Sequence, residues 1–240
     1  MTSPQYVPLD EKKHRHLTLN TAPRLQALTQ KDTAFIVLEE VIPLANEYPL
    51  FITKNPTTGQ FQLVALLGLD KRQNLFIENG QWQAFFLPME CTTYPFRLYL
   101  PEADSSDRGL ITLDPNHPAF SNEGGTALFT PSGEPSPMLT RIQQCFATLM
   151  QGTEATQRFL TEIQHHQLLE PVTIDYENPT GEKVSLTGFY QIDEAALAAL
   201  EPEPLKSLHD SGALRTCYAL LNARTHIEKL AHWLKRTHSQ

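Results

Sequence analysis

The spacing of the apolar residues changes near Gly133, and this change constrains the fold more than any single motif does. Before it, short apolar runs such as FIVLE, FQLVALLGL and NLFIENGQW are separated by turn residues, a pattern typical of strands. After it, apolar residues recur at the 3.6-residue period of a helix: Met138, Leu139, Ile142, Cys145, Phe146 and Leu149. The sequence therefore predicts an α+β fold. We expect a mixed or mainly antiparallel β-sheet from residues 35–129, packed against a mainly helical C-terminal half with one further hairpin near residues 172–192.

Two segments of the N-terminal half carry the clearest strand signals. Residues 61–69 (FQLVALLGL) have apolar side chains on both alternating faces, which predicts the most buried strand of the sheet. Asn79 and Gly80 in NLFIENGQWQAFFLP form a strong two-residue turn signal, so we expect a hairpin there. The runs RLYL and GLITLD are predicted to extend the same sheet.

The helical half begins with a recognisable start signal. Ser136 is a favourable N-cap residue, and Pro137 suits the first helical position. A second helix is predicted over residues 153–168, ending before Pro171 because proline restricts the residue that precedes it. Three further helices are predicted at residues 194–200, at residues 205–209 and after Gly212.

The length and composition suit one globular body. The chain has 240 residues, 40% of them hydrophobic, which is enough to bury a core. Residues 1–33 are polar and contain three prolines, so we expect a loosely ordered N-terminal arm with a short ordered piece near residues 24–28. Residues 34–240 are predicted to form a single domain, β-rich over residues 34–135 and helix-rich over residues 136–240.

Charge and hydropathy argue against two classes of protein. The formal net charge is −8 and there is no long Lys/Arg run, whereas nucleic-acid binding needs clustered cations. No segment approaches the roughly 20 apolar residues that a membrane-spanning helix requires. Three widely spaced cysteines and an N-terminus without an apolar signal region fit a cytoplasmic protein.

Common catalytic and cofactor motifs are missing. The sequence contains no GxGxxG, GxxxxGK[ST], HExxH, CxxC or GxSxG, so we assign no catalytic residue, cofactor or metal. His117, close to Asp114, is the only local Asp/His pair that suits a metal, and a loop role for this histidine is the favoured interpretation. An enzyme whose site uses no linear motif remains an alternative.

Aromatic residues and prolines are concentrated between residues 47 and 99. Such residues can form a groove for a peptide or a partner helix, because rings offer a large contact area at small entropic cost. The other interpretation is a sheet core, which we favour for Phe76 and Phe85. Both interpretations stay open for Tyr48, Trp82 and Tyr94, whose polar tips need a hydrogen-bond partner or water.

The order of these blocks resembles the SapC family. The blocks are EYPLFIT, FQLVALLGL, NLFIENGQW and TYPF, followed by GTALFTPSGEP and LTGFYQIDEAALAAL, so the resemblance runs from about Val41 to the last helix. It implies a soluble bacterial protein without an established activity. Proteins of this kind are often labelled as peptide-transport or permease components, and the hydropathy contradicts a permease.

The resemblance also indicates positions that matter for binding. Asn74 and Trp82 match the family pattern, whereas Thr92 and Thr93 replace an arginine pair that usually precedes the YPF block. Arg97, immediately after Phe96, is expected to replace part of the anion contact that this pair would make. We predict these binding residues: Tyr48, Asn74, Trp82, Tyr94, Phe96 and Arg97.

The expected function is that of a non-catalytic accessory factor that binds a peptide or protein partner. Family members tend to be encoded beside TonB-type receptors, flavin-dependent halogenase-like proteins and cupin-like oxygenases, which implies a role in nutrient uptake or substrate modification. The alternatives are an enzyme or enzyme subunit with its site between sheet and helices, and a peptide-transport-associated component that is not a permease. The sequence assigns no oligomeric state.

Overall fold

The computed structural model describes residues 4–100 and 109–237. Helices make up 41% and strands 24% of these residues, which confirms the predicted α+β class. The strands are β1 (Val7–Pro8), β2 (Thr18–Leu19), β3 (Thr33–Ile36), β4 (Leu50–Lys54), β5 (Phe61–Leu66), β6 (Ile77–Glu78), β7 (Gln81–Trp82), β8 (Arg97–Tyr99), β9 (Leu110–Leu113), β10 (Phe120–Ser121), β11 (Thr126–Ala127), β12 (Leu169–Glu177) and β13 (Lys183–Ile192). The helices are α1 (Glu11–His14), α2 (Thr21–Leu28), α3 (Leu38–Leu44), α4 (Met89–Thr93), α5 (Pro137–His165), α6 (Glu194–Ala198), α7 (Pro202–Ser211), α8 (Ala213–Ala223) and α9 (Ile227–Thr237).

The largest sheet is antiparallel throughout and has the strand order β12-β13-β4-β5-β3. Strand β5 lies between two neighbours, and Leu63, Val64, Ala65 and Leu66 are each at most 2% exposed. This agrees with the prediction of a deeply buried strand. The predicted hairpin at residues 75–82 is also present, because β6 and β7 pair across Asn79 and Gly80.

The membership of this sheet differs from the prediction in one respect. Strands β8 and β9 (the RLYL and GLITLD runs) form a separate three-stranded sheet with β1 instead of extending the large one. Their place is taken by the C-terminal hairpin β12-β13, whose Phe189 and Tyr190 pair with Thr53 and Ile52 of β4. Local alternation predicts a strand but does not select its neighbour, since pairing between distant segments depends on the whole fold.

One continuous helix, α5, replaces the two that were predicted over residues 137–168. Ser136 caps it as expected, accepting a hydrogen bond from the Leu139 backbone N–H at 3.3 Å. Gly152, which directly precedes the predicted start of the second helix, lies inside α5 and is buried. A Cβ at this position would lie 2.5 Å from Glu39 Oε2 and 2.9 Å from Val37 Cβ. The glycine therefore allows close packing against the start of α3, which offsets its weak helix propensity of about 1 kcal/mol.

Two hydrophobic cores result, and α5 contributes to both. The main core contains the large sheet and the C-terminal helices, with Phe159, Leu160 and Ile163 of α5. The small core lies between the two three-stranded sheets and the first half of α5. Its buried residues are Leu17, Leu19, Phe96, Leu113, Ala119, Phe120, Leu128, Phe129, Leu139, Ile142 and Phe146.

The N-terminal segment, expected to be a loosely ordered arm, is structured over much of its described part. Strand β1 pairs with β9, and β2 pairs with both β10 and β11. Leu17 and Leu19 are buried in the small core, and Leu28 of α2 is buried in the main core. The local sequence does not indicate this packing, because each strand has only two residues and its partner lies about a hundred residues away. Within residues 4–100 and 109–237, no helix has the length and apolarity needed to cross a membrane.

Candidate functional site

The loop between β7 and α4 carries two exposed phenylalanines. Phe85 is 88% exposed and Phe86 is 41% exposed, and their rings meet edge to face with centroids 5.0 Å apart. The interpretation of Phe85 as a core residue is therefore wrong. The loop leaves both rings in contact with solvent.

Side-chain hydrogen bonds from Glu47 and Tyr48 fix the backbone of this loop. The Glu47 carboxylate accepts the backbone N–H groups of Phe85 and Phe86, at 2.7 and 2.8 Å. The Tyr48 hydroxyl donates to the Phe86 carbonyl at 2.6 Å. Trp82 Nε1 in turn donates to the Tyr48 oxygen at 2.7 Å. The backbone that presents the two rings is thus fixed by three side chains.

Tyr48 and Trp82, which hold the loop, each stack on the ring of Phe76. Tyr48 is fully buried, and its ring stacks on Phe76 with centroids 4.2 Å apart. Phe76, predicted as core, is also fully buried and lies between Tyr48, Trp82 and Trp233. Burial raises the pKa of the Tyr48 hydroxyl above its ordinary value, so the group stays a neutral hydrogen-bond donor.

The C-terminal helix α9 reinforces this support. The Lys229 ammonium lies 5.1 Å from the ring centroids of both Phe76 and Trp233. It also donates a hydrogen bond to the Glu47 backbone carbonyl. Cation–π contacts of this kind are stabilising when they are shielded from water. Helix α9 therefore contacts Glu47, which holds the loop, and the ring of Phe76.

A cavity of about 410 Å³, here called the Phe85 pocket, opens beside the loop. Helices α3, α4 and α5 form its other walls. The side chains at its rim include apolar groups and charges of both signs. The lining residues are Glu39, Glu40, Pro43, Leu44, Phe85, Phe86, Leu87, Met89, Thr92, Arg141 and Cys145.

Glu40 is the most perturbed acid of the pocket. Its side chain is almost fully buried, and its two carboxylate oxygens accept the backbone N–H groups of Val37, at 3.1 Å, and Met89, at 2.7 Å. Burial raises its pKa from 4.5 to about 7, more than the two hydrogen bonds lower it. The carboxyl group therefore joins the starts of α3 and α4 and changes charge near neutral pH.

The end of α4 contains the two threonines that replace the expected arginine pair. Both are buried, and the Thr93 hydroxyl donates to the Glu90 carbonyl at 3.2 Å. The Arg24 guanidinium, from α2, donates to the carbonyls of Cys91 and Thr92, both at 2.8 Å. A cation thus reaches this helix end from another part of the chain, which complements the negative end of the helix dipole.

The other predicted binding residues lie at a different cavity, here called the Tyr94 cavity, of about 580 Å³. Tyr94 is half-buried, and its hydroxyl lies 2.9 Å from His117 Nε2. Phe96 is buried in the small core against Phe120. Arg97 is exposed, and its guanidinium lies 4.1 Å from the centroid of the Tyr6 ring.

Asn74 belongs to neither cavity. It is buried, donates to the Leu28 carbonyl at 3.1 Å and accepts the Phe76 backbone N–H at 3.0 Å.

The six predicted binding residues therefore do not form one surface. Tyr48 and Asn74 are buried and line neither cavity, whereas Phe96 is buried in the small core and lines the Tyr94 cavity. Sequence reasoning missed the exposure of Phe85 and Phe86, although two adjacent phenylalanines before Leu87-Pro88 are a visible signal of an irregular apolar segment.

The Asp114/His117 pair does not have the arrangement of a metal site. His117 Nδ1 accepts the Ala119 backbone N–H at 3.1 Å, and Nε2 lies at the Tyr94 hydroxyl, so both ring nitrogens are engaged. Within the described ranges, no three His, Cys, Asp or Glu side chains come together as a metal site would require.

The three cysteines are free, and burial raises the pKa of Cys91 and of Cys217 to about 12, which leaves these thiols protonated.

Comparison with known proteins gives one match. The model of the SapC family matches residues 9–230, which is most of the chain. No curated protein and no solved structure matches the chain.

Proposed function

The chain belongs to the SapC family, and we propose that it is a non-catalytic accessory factor that binds an apolar segment of a peptide or protein partner. The exposure of Phe85 carries this proposal. A phenylalanine ring that is 88% exposed leaves its apolar surface in water, and burying such a ring stabilises a complex by about 1.5–3 kcal/mol.

The rigidity of the loop supports this role. Glu47, Tyr48 and Trp82 hold the backbone that presents the two rings, so little conformational entropy is lost when a partner covers them. Preorganised aromatic anchors of this type dominate the energetics of many interfaces.

The Phe85 pocket defines the chemistry of the partner. Pro43, Leu44 and Met89 are apolar residues in its lining. Glu39 and Arg141 carry opposite charges, so the pocket has no strong preference for a charged ligand. An apolar side chain of the partner is the group that fills this space best, with Phe85 and Phe86 packed against its flank.

The enzyme alternative rests on Glu40, whose pKa of about 7 is suited to proton transfer. Its two oxygens, however, each accept a backbone N–H group. This arrangement is typical of a carboxyl group with a structural role, and it supports binding over catalysis. The proposal includes a cytoplasmic location, which three free cysteines support, and a role in nutrient uptake or substrate modification, which the family resemblance implies.

The test compares three immobilised proteins as baits in lysate of the native cell: wild type, Phe85→Ala and Tyr218→Ala. Tyr218 is a suitable control because it is 52% exposed on another helix, α8. We expect partners retained by wild type and by Tyr218→Ala to be lost with Phe85→Ala. For the purified partner, Phe85→Ala should raise the dissociation constant at least tenfold, about 1.4 kcal/mol. Equal retention by a folded Phe85→Ala protein would refute the proposal.

A further inference from the structure

The Tyr94 cavity combines an apolar wall with the Tyr94 hydroxyl and with the Arg97 guanidinium, for which the described residues provide no hydrogen-bond acceptor. Leu98, Phe146 and Leu149 supply the wall, and Arg97 and Tyr94 supply the donors. We propose that this cavity binds an apolar organic acid through its carboxylate group, with the Arg97 guanidinium and the Tyr94 hydroxyl as the two contacts. This site is separate from the Phe85 pocket and does not depend on the function proposed there.

The hydrogen-bond pattern of His117 leaves the Tyr94 proton available. The Ala119 backbone N–H donates to His117 Nδ1 at 3.1 Å, so this nitrogen carries no proton. Burial lowers the pKa of His117, which keeps the ring neutral and places its one proton on Nε2. Nε2 then donates to the Tyr94 oxygen across 2.9 Å. The Tyr94 hydroxyl proton consequently points away from the histidine and can be donated to a ligand.

Arg97 lines the same cavity as Tyr94, and no acid among the described residues competes for its charge. Its guanidinium stacks on the Tyr6 ring, and in the described ranges no carboxylate lies within salt-bridge distance of it. Arg97 and Tyr94 line the same cavity, and the charge of Arg97 opposes the rise that burial causes in the pKa of Tyr94. A guanidinium and a hydroxyl together match the two oxygens of a carboxylate.

The other charges of the cavity favour a monoanion over a dianion. Glu90 is paired with Lys31 at 3.0 Å and accepts the Phe35 backbone N–H at 2.7 Å. Asp32 accepts the Arg72 backbone N–H at 3.1 Å. These two carboxylates would repel a second negative charge, as on a phosphate group. The apolar wall favours an organic body behind the single carboxylate.

Calorimetric titration with octanoate, octanamide and inorganic phosphate tests the proposal. Octanoate should bind, and octanamide and phosphate should bind at least tenfold more weakly. Arg97→Gln should weaken octanoate binding at least tenfold, and Tyr94→Phe about fivefold. Arg158→Gln, which removes the same charge from an exposed position of α5 outside both cavities, should leave it unchanged. Thermal melting checks that each variant is folded.

Several results would overturn the assignment. These are an absence of octanoate binding to the wild type, equal binding of octanamide, tighter binding of phosphate, or an unchanged affinity in folded Arg97→Gln protein. A second arm identifies the source of the carboxylate by comparing N-acetyl-Leu-Leu with its C-terminal amide. A peptide acid that binds more tightly than octanoate indicates a peptide C-terminus, whereas the opposite order indicates a free organic acid, and both orders support a carboxylate site.

Discussion

The main core and the small core hold their strands together in different ways. In the main core, β4 and β5 pair over five residues each, and β12 and β13 form a long hairpin. In the small core, β2, β10 and β11 have only two residues each, and Leu19 of β2 pairs with Phe120, a hundred residues away. Closing such long loops costs conformational entropy before any contact forms. The comparison therefore predicts that the small core opens more easily than the main core.

The largest expected effect is that of Leu66→Asp in the main core. An unpaired carboxylate at this 2% exposed position costs several kcal/mol, against a total stability of about 5–15 kcal/mol for a typical domain. We expect loss of the folded state, measured by circular dichroism and thermal melting. Gln62→Asp, at a half-buried position of the same strand, is the control. A melting temperature within a few degrees of wild type would place β5 outside the core.

Leu113→Ala tests the small core in the same way. Leu113 is fully buried in β9, so its truncation should cost about 2–5 kcal/mol. Hydrogen exchange should show faster exchange in β8 and β9 while β4 and β5 keep their protection. If protection is lost equally in all four strands, the two cores form one cooperative unit and the comparison fails.

Glu40 joins the starts of α3 and α4, which both pack on the main core, and its burial predicts a pH dependence. Its folded-state pKa, about 7, lies above the ordinary value of 4.5, so the folded protein holds the proton more strongly than the unfolded chain. This contribution to stability is complete below pH 4.5 and is lost as the pH rises to about 7, by at most about 3 kcal/mol.

Urea unfolding between these pH values measures the effect. Glu40→Gln should abolish this part of the pH dependence, whereas Glu39→Gln, at the exposed neighbouring position, should retain it. An unchanged pH dependence in Glu40→Gln would show that other groups cause it.

The smallest expected effect on stability is that of Trp82→Ala. The substitution removes the hydrogen bond to Tyr48 and loosens the loop that presents Phe85. Partner binding should weaken at least tenfold, about 1.4 kcal/mol, while the melting temperature falls modestly. Trp82→Phe retains a ring without the N–H and separates the hydrogen bond from the packing. The idea fails if the folded Trp82→Ala protein binds normally, or if the substitution abolishes folding.

The candidate site was only partly predictable. Trp82 and Tyr48 were identified from their polar tips, and the structure places them beneath the exposed loop instead of on the surface. The exposure of Phe85 was not predictable, because it follows from hydrogen bonds to Glu47, 38 residues earlier in the chain. A phenylalanine in a short apolar run has the same local pattern whether it faces a core or solvent.

Features that depend on neighbouring residues were determined by the sequence itself. The Asn79-Gly80 turn adopts the positive φ angles, 51° and 71°, that this pair accommodates, and Ser136 caps α5. Only the tertiary structure decided that β13 pairs with β4, and that Gly152 packs against Val37 without breaking α5. Turns and caps are settled by the conformational preferences of a few adjacent residues. Strand partners and helix continuity depend on contacts between residues that are far apart in the chain. A local sequence pattern does not predict these contacts.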